Sequence, residues 1–288
     1  MTTTAFSFNI IADLASMWQY AFMRHAFEAG TLVALIAGVV GWFVVVRRSA
    51  FAAHALSHIG FAGAAGAVLF GVSPILGLLI FTGGGGIAMA TFGRKASERD
   101  TQIGIVLAFM LGIGVLFISL YSGYATEAYS ILFGEILGVS ATDVFVTLVS
   151  AIVILAAVAV VYRRLLFSSL DEDVAEAKGI SIFWIGLIFM LLVAVATSMA
   201  VQVVGVLLIF ALMVTPAAVA QQVTRRPAQG IIVSVAIALL ATWIGLFVSF
   251  YVPYPVSFFI TALTFGTYLF VRIWGTDDGG AKPAAARA

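Results

Sequence analysis

Apolar residues run along this chain in blocks of about 20, the length needed to cross a bilayer, separated by short clusters of charge. The pattern predicts nine membrane-spanning helices, at residues 28–46, 52–71, 74–92, 102–121, 143–162, 180–198, 201–221, 229–250 and 255–271. Segment 128–138 is apolar but too short to span, and reads as a re-entrant or interfacial helix. Residues 8–23 mix Phe8, Ile10, Ile11, Leu14, Met17, Trp18 and Phe22 with polar positions, the pattern of an amphipathic helix lying in the interface. The predicted fold class is all-α, a polytopic transmembrane helical bundle. Its expected organisation is an interfacial segment at 1–23, a transmembrane domain at 24–274 and a disordered tail at 275–288, rich in Gly, Ala, Asp and Pro.

Composition removes the alternatives. Hydrophobic residues make up 63% and charged residues 9%, whereas soluble domains carry about 25% charged residues. A chain with so few charges cannot cover its surface in water. The net charge of +1 gives no basic footprint for nucleic acid. The absence of cysteine excludes disulfides and thiolate metal sites. Met1 to Asn9 lack the positive region of a secretory signal, so the spans themselves are expected to drive insertion.

Basic residues set the expected orientation. With the first span running inward, Arg47, Arg48, Arg94, Lys95, Arg99, Arg163, Arg164, Lys178, Arg225, Arg226, Arg272, Lys282 and Arg287 are cytoplasmic. Only Arg24 falls outside, so thirteen of the fourteen basic residues share one side. The N-terminus is then external and the C-terminus cytoplasmic.

Two of the three histidines, His54 and His58, stand near the start of the second span. A spacing of four puts both imidazoles on one helical face. Ionisable groups at membrane depth are costly and face a cavity or a partner. Two neutral imidazoles one turn apart can chelate a borderline metal such as zinc. A structural, hydrogen-bonded pair is the other reading, and the residues alone leave both open. The pair is also similar to the protease motif H-E-x-x-H, but Ala55 stands where the general base belongs, which argues against proteolysis. The small residues Gly60, Ala62, Gly63, Ala64, Ala65, Gly66 and Ala67 suit close helix packing in lipid.

The loop 168–179 predicts a short charged helix between two spans. Ser169 and Glu172 match a capping box. Asp171, Glu172 and Asp173 suit the positive first turn, Lys178 the last turn, and Gly179 the stop. Leu170, Val174 and Ala177 share one face. An ordinary surface helix and a docking helix are both compatible with this pattern. Gly83 to Gly86 lie within a span without a Walker lysine, so packing or a helix break is the expectation. Thr215-Pro216 predicts a kink in the seventh span. Glu127, Glu135 and Asp143 read as solvated outer acids, and Ser198 and Gln202 as candidates to line a path.

In this order along the chain, the residues resemble the ABC-3 family, the zinc and manganese permeases of bacterial ABC importers. Ala55-Leu56-Ser57-His58 is similar to the family's D-A-L-S-H segment, and Asp100-Thr101-Gln102-Ile103-Gly104-Ile105-Val106 to its D-T-A-I-G-I-V segment. Ile131-Leu132-Phe133-Gly134 is similar to its L-F-G segment, and Asp171 through Gly179 to its D-P-E-x-A-x-x-x-G loop. Val204-Gly205-Val206-Leu207-Leu208, continuing to Thr215-Pro216-Ala217-Ala218, is similar to its V-G-V-L-L…P-A-A segment. The resemblance covers residues from about 20 to 272.

The resemblance implies a homodimeric multi-pass permease in a bacterial plasma membrane, with two cytoplasmic ATPase subunits that hold the ATP and an extracytoplasmic metal-binding protein. It implies no permanently bound cofactor, and a transported divalent metal, zinc or manganese. It implies that His58 contacts the metal and that 168–179 is the coupling helix. His54 replaces the family's usual Asp, so this chain offers two nitrogens where the family offers one oxygen and one nitrogen. The remaining alternatives are a permease for an iron chelate or vitamin, and an ion-coupled secondary transporter.

Overall fold

A computed structural model describes residues 10–91, 96–121 and 134–274. The described residues form α-helices and one 3₁₀ turn, with no strand among them. In chain order the helices are α1 (Ile10–Trp18), α2 (Ala21–Val46), α3 (Ala50–Leu69), α4 (Pro74–Ala90) and α5 (Ala96–Leu120). After the 3₁₀ turn Ile136–Gly138 come α6 (Ala141–Leu170), α7 (Glu172–Ala177), α8 (Ile182–Val223), α9 (Pro227–Tyr251) and α10 (Val256–Trp274). Residues 1–9, most of the expected re-entrant segment, Glu127, Arg94, Lys95 and the tail at 275–288 lie outside the described residues.

Among the described residues, seven helices are long and apolar enough to cross a membrane: α2, α3, α5, α6, α8, α9 and α10. Two differences separate this from the nine predicted segments. α4 has 17 residues, short of the roughly 20 that a full crossing takes. The predicted sixth and seventh spans follow one another without an intervening loop, as two helical arms of one 42-residue element, α8.

At ~1.5 Å per residue a straight α8 would be about 63 Å long, twice the hydrocarbon thickness. It is not straight. Gly205 has φ 80° and ψ 167°, non-helical values that a side chain rarely tolerates. The break therefore falls at Gly205, beyond the gap expected between 198 and 201. Pro216, where a kink was expected, stays within the second arm.

Both arms of α8 reach the Arg47 end of α2. The Arg47 guanidinium lies over the ring of Phe189 on the first arm. On the second arm, the Met213 carbonyl fills the space a side chain would take at Gly41. The chain then passes through Thr224 to α9, where Gly230 admits the indole of Trp42. α8 is thus the central element, packed on α2, α3, α4, α6, α9 and α10.

Close approach, not a hydrophobic driving force, holds such helices together in lipid. α3 and α4 cross at Gly63 and Gly77, and a Cβ on either glycine would overlap the carbonyl of the other. Thr82 on α4 and Ser198 on α8 share a buried hydrogen bond of 2.6 Å. At the opposite end, α6 opens with a capping box: the Asp143 amide donates to Ser140 Oγ, and the Ser140 amide to Asp143 Oδ2. The amphipathic segment is shorter than expected. α1 ends at Trp18 and α2 starts at Ala21, seven residues before the predicted 28, because Tyr20 takes extended dihedrals between them.

Candidate functional site

α3 is a 20-residue helix with fourteen buried residues, most of them Ala and Gly. This narrow helix carries His54 and His58 one turn apart. Their ring centroids lie 4.6 Å apart, edge to face. Both side chains are half-buried, and in both the Nδ1 atom is buried without a hydrogen-bond partner. Ser57, between them, donates to the His54 carbonyl at 2.7 Å and does not orient either ring.

The ring of Phe210 packs 4.7 Å from the His54 ring. Phe210 stands five residues past the Gly205 corner, on the second arm of α8. Gly134, at φ +72°, packs directly against the backbone of Val204 and Gly205. Two motifs far apart in sequence thus meet here, at the corner from which Phe210 follows to pack on His54. Nothing in residue spacing points to Phe210; only the fold brings it there. Among the described residues no group of three or more His, Asp or Glu is arranged to hold a metal ion. Within this chain, His54 and His58 stand as a pair of imidazoles without a third such group beside them among the described residues.

The other expected path residues fall elsewhere. Ser198 is fully buried and tied to Thr82 and the Ala194 carbonyl, joining α8 to α4. Gln202 donates to Asp143 Oδ1 at 3.3 Å. Both line a cavity of about 440 Å³ with Glu135, Thr142 and Ser73, at the end of the bundle remote from Arg47.

The predicted short charged helix is present, with altered bounds. α6 runs to Leu170, so Ser169 belongs to its last turn and bonds back to the Leu165 carbonyl. The Ser169–Glu172 capping box does not form. Asp171 is the N-cap instead, and its Oδ1 accepts from the Val174 amide at 3.0 Å. Lys178 ends the helix and Gly179 follows at φ +78°. Ala175 is the residue that packs inward. Leu170, Asp171, Glu172, Asp173, Val174, Ala177 and Gly179 are exposed, leaving an acidic surface with an apolar ridge free for contact.

Near α7 lies a second cavity, of about 690 Å³, lined among others by Arg47, Arg48, Arg99, Asp171, Glu172 and Ile182. Burial pulls the Arg47 guanidinium below its ordinary range, opposed by Glu172 and assisted by Arg99. An arginine stays cationic under such shifts.

These features describe a multi-pass helical bundle with a half-buried histidine pair and an exposed short helix at one end. The family model described as "ABC 3 transport family" matches residues 19–275, and the chain belongs to that family. It is 31% identical over 238 residues to the manganese transport system membrane protein MntC of Listeria monocytogenes, covering 82% of this chain and 85% of the relative. It is 29% identical over 238 residues to the manganese import system permease protein ScaB of Streptococcus gordonii, covering 82% and 85%. Among solved structures it superposes on PsaBC from Streptococcus pneumoniae in complex with Fab, with TM-score 0.81, 28% identity, and 91% and 94% of the chains covered. The chain is a membrane permease of the ABC transporter class.

Proposed function

We propose that this permease imports a divalent transition metal, zinc or manganese, and that His54 and His58 contact the ion in transit. The observation that carries the reading is the histidine pair itself. Two imidazoles stand one turn apart within a packed membrane helix, with Phe210 on one flank. Placing ionisable groups there has a cost that a passing cation would justify. The manganese names of the relatives weigh toward manganese. The donor chemistry of this chain weighs toward zinc, because imidazole suits zinc while oxygen donors suit manganese.

The nine-crossing topology belongs to this proposal. The two arms of α8 count as one crossing each, and α4 as a short one, giving an external N-terminus and a cytoplasmic C-terminus. The positive-inside distribution of charge supports it. Residues 1–23 then lie at the interface, 24–274 form the permease domain, and 275–288 the tail. A second copy of the chain would complete the ion's ligands. A partner ATPase would dock on the exposed surface of α7 and bind the ATP, and an extracytoplasmic metal-binding protein would deliver the ion. Binding and hydrolysis of ATP would switch exposure of the histidines between the two sides.

The test is metal uptake in a bacterial strain lacking its own zinc and manganese importers, with and without the partner ATPase. The proposal expects uptake only with the ATPase. Uptake without it would point to an ion-coupled secondary transporter, and no metal uptake with it would point to a larger chelate as cargo.

A further inference from the structure

One side chain joins the corner that carries α7 to the turn that launches the histidine helix. Arg47 Nη1 donates to Ser168 Oγ at 2.8 Å and to Ser169 Oγ at 3.3 Å. Its guanidinium also lies 5.1 Å from the centroid of the Phe189 ring, on the first arm of α8. Ser168 is buried, and Asp171, two residues after Ser169, is the N-cap of α7. On its own strand of the link, Arg47 is the C-cap of α2, and α3 begins three residues later at Ala50. His54 follows one turn further on.

The connection between Arg47 and α3 is stiff. The Arg48 amide donates to the Val45 carbonyl at 3.0 Å and the Ser49 amide to the Val44 carbonyl at 2.8 Å. That paired pattern is a Schellman turn, with Arg48 in the left-handed position at φ 51°. A residue with a side chain is disfavoured there, so the turn is held by its surroundings. Arg99 Nη2 adds a bond to the Arg48 carbonyl at 3.2 Å, bringing the start of α5 into the same cluster. The charged groups facing Arg47 are Glu172 from α7 and Arg99 from α5. Arg47 is thus bonded to the α6–α7 corner on one side and continuous with the first turn of α3 on the other.

We propose that Arg47 is a positioning residue that transmits displacement of the α7 docking helix to the histidine helix α3. This rests on the importer reading. The experiment uses the full permease with its partner ATPase in proteoliposomes, and measures zinc and manganese ions moved per ATP hydrolysed. Arg47→Ala is expected to keep hydrolysing ATP while the ratio falls on the order of tenfold, the size of a typical coupling between sites. Arg47→Lys keeps the charge but not the planar fork, and is expected to fall between. Ser168→Ala combined with Ser169→Ala removes the acceptors and leaves Arg47 in place, so it decides the matter should Arg47→Ala not assemble. A lowered ratio in the serine pair supports the link. Wild-type ratios in these variants overturn it. Absence of ATP-driven metal movement in the wild type overturns the importer reading, and this proposal with it.

Discussion

α3 and α7 are built on opposite plans. α3 hides fourteen of its twenty residues and touches neighbours through glycine and alanine. α7 buries only Ala175 and leaves its acids and its apolar ridge exposed. In α3 a side chain is defined by what presses on it, so added volume meets a neighbour at once: the Gly77 backbone at Gly63, and side chains at Gly60 and Gly66. In α7 the structure is set by local capping, and the outer surface is free to be used by another protein. Added volume at the glycines of α3 should therefore register as loss of the folded bundle, and changes in α7 as loss of partnership with the bundle intact.

The largest effect should come from Gly63→Leu. A Cβ there already overlaps the Gly77 carbonyl and comes within 2.7 Å of Phe81 Cβ, and the rest of the side chain cannot be accommodated without separating α3 from α4. Overpacking of this kind costs about 3 kcal/mol or more. The expected outcome is a fall in thermal stability and in monodisperse protein after detergent extraction. Wild-type stability would show that α3 is looser than its contacts indicate.

A smaller effect is expected from the pair Leu170→Asp and Val174→Asp. These residues are 66% and 45% exposed, so the isolated permease should keep its melting temperature. Co-purification with the partner ATPase should fall at least about tenfold, since losing an apolar anchor at an interface costs about 2 kcal/mol. If binding survives, α7 is an ordinary surface helix. If the melting temperature falls as well, the ridge packs within this chain.

Much of this was legible before any coordinates, for a physical reason. Backbone groups in lipid must be satisfied within the helix, so long apolar blocks report helices directly. That is why α3, α4 and α9 start within two residues of their predicted positions. Spacing likewise put His54 and His58 on one face, since that depends only on helical pitch.

What failed was whatever depends on dihedrals or on distant contacts. The corner at Gly205 was not readable, because a glycine inside an apolar run can equally be packing or bend. The start of α7 was misplaced by two residues, because α6 continued past its apolar block and absorbed Ser169. That shift moved the buried position to Ala175 and left Ala177 outside. Phe210 and the Arg47 link were invisible, since each joins residues more than a hundred positions apart.

The most direct test of the account is uptake of radioactive zinc and manganese by cells carrying His54→Ala combined with His58→Ala. Wild-type permease with its ATPase provides the reference, and surface expression is measured alongside. Alanine is common throughout α3, so the double variant should insert and bind the ATPase normally. The account predicts that uptake of both metals falls to background. Wild-type uptake by a well-expressed double variant would contradict it, and would remove the histidine pair from the ion's path.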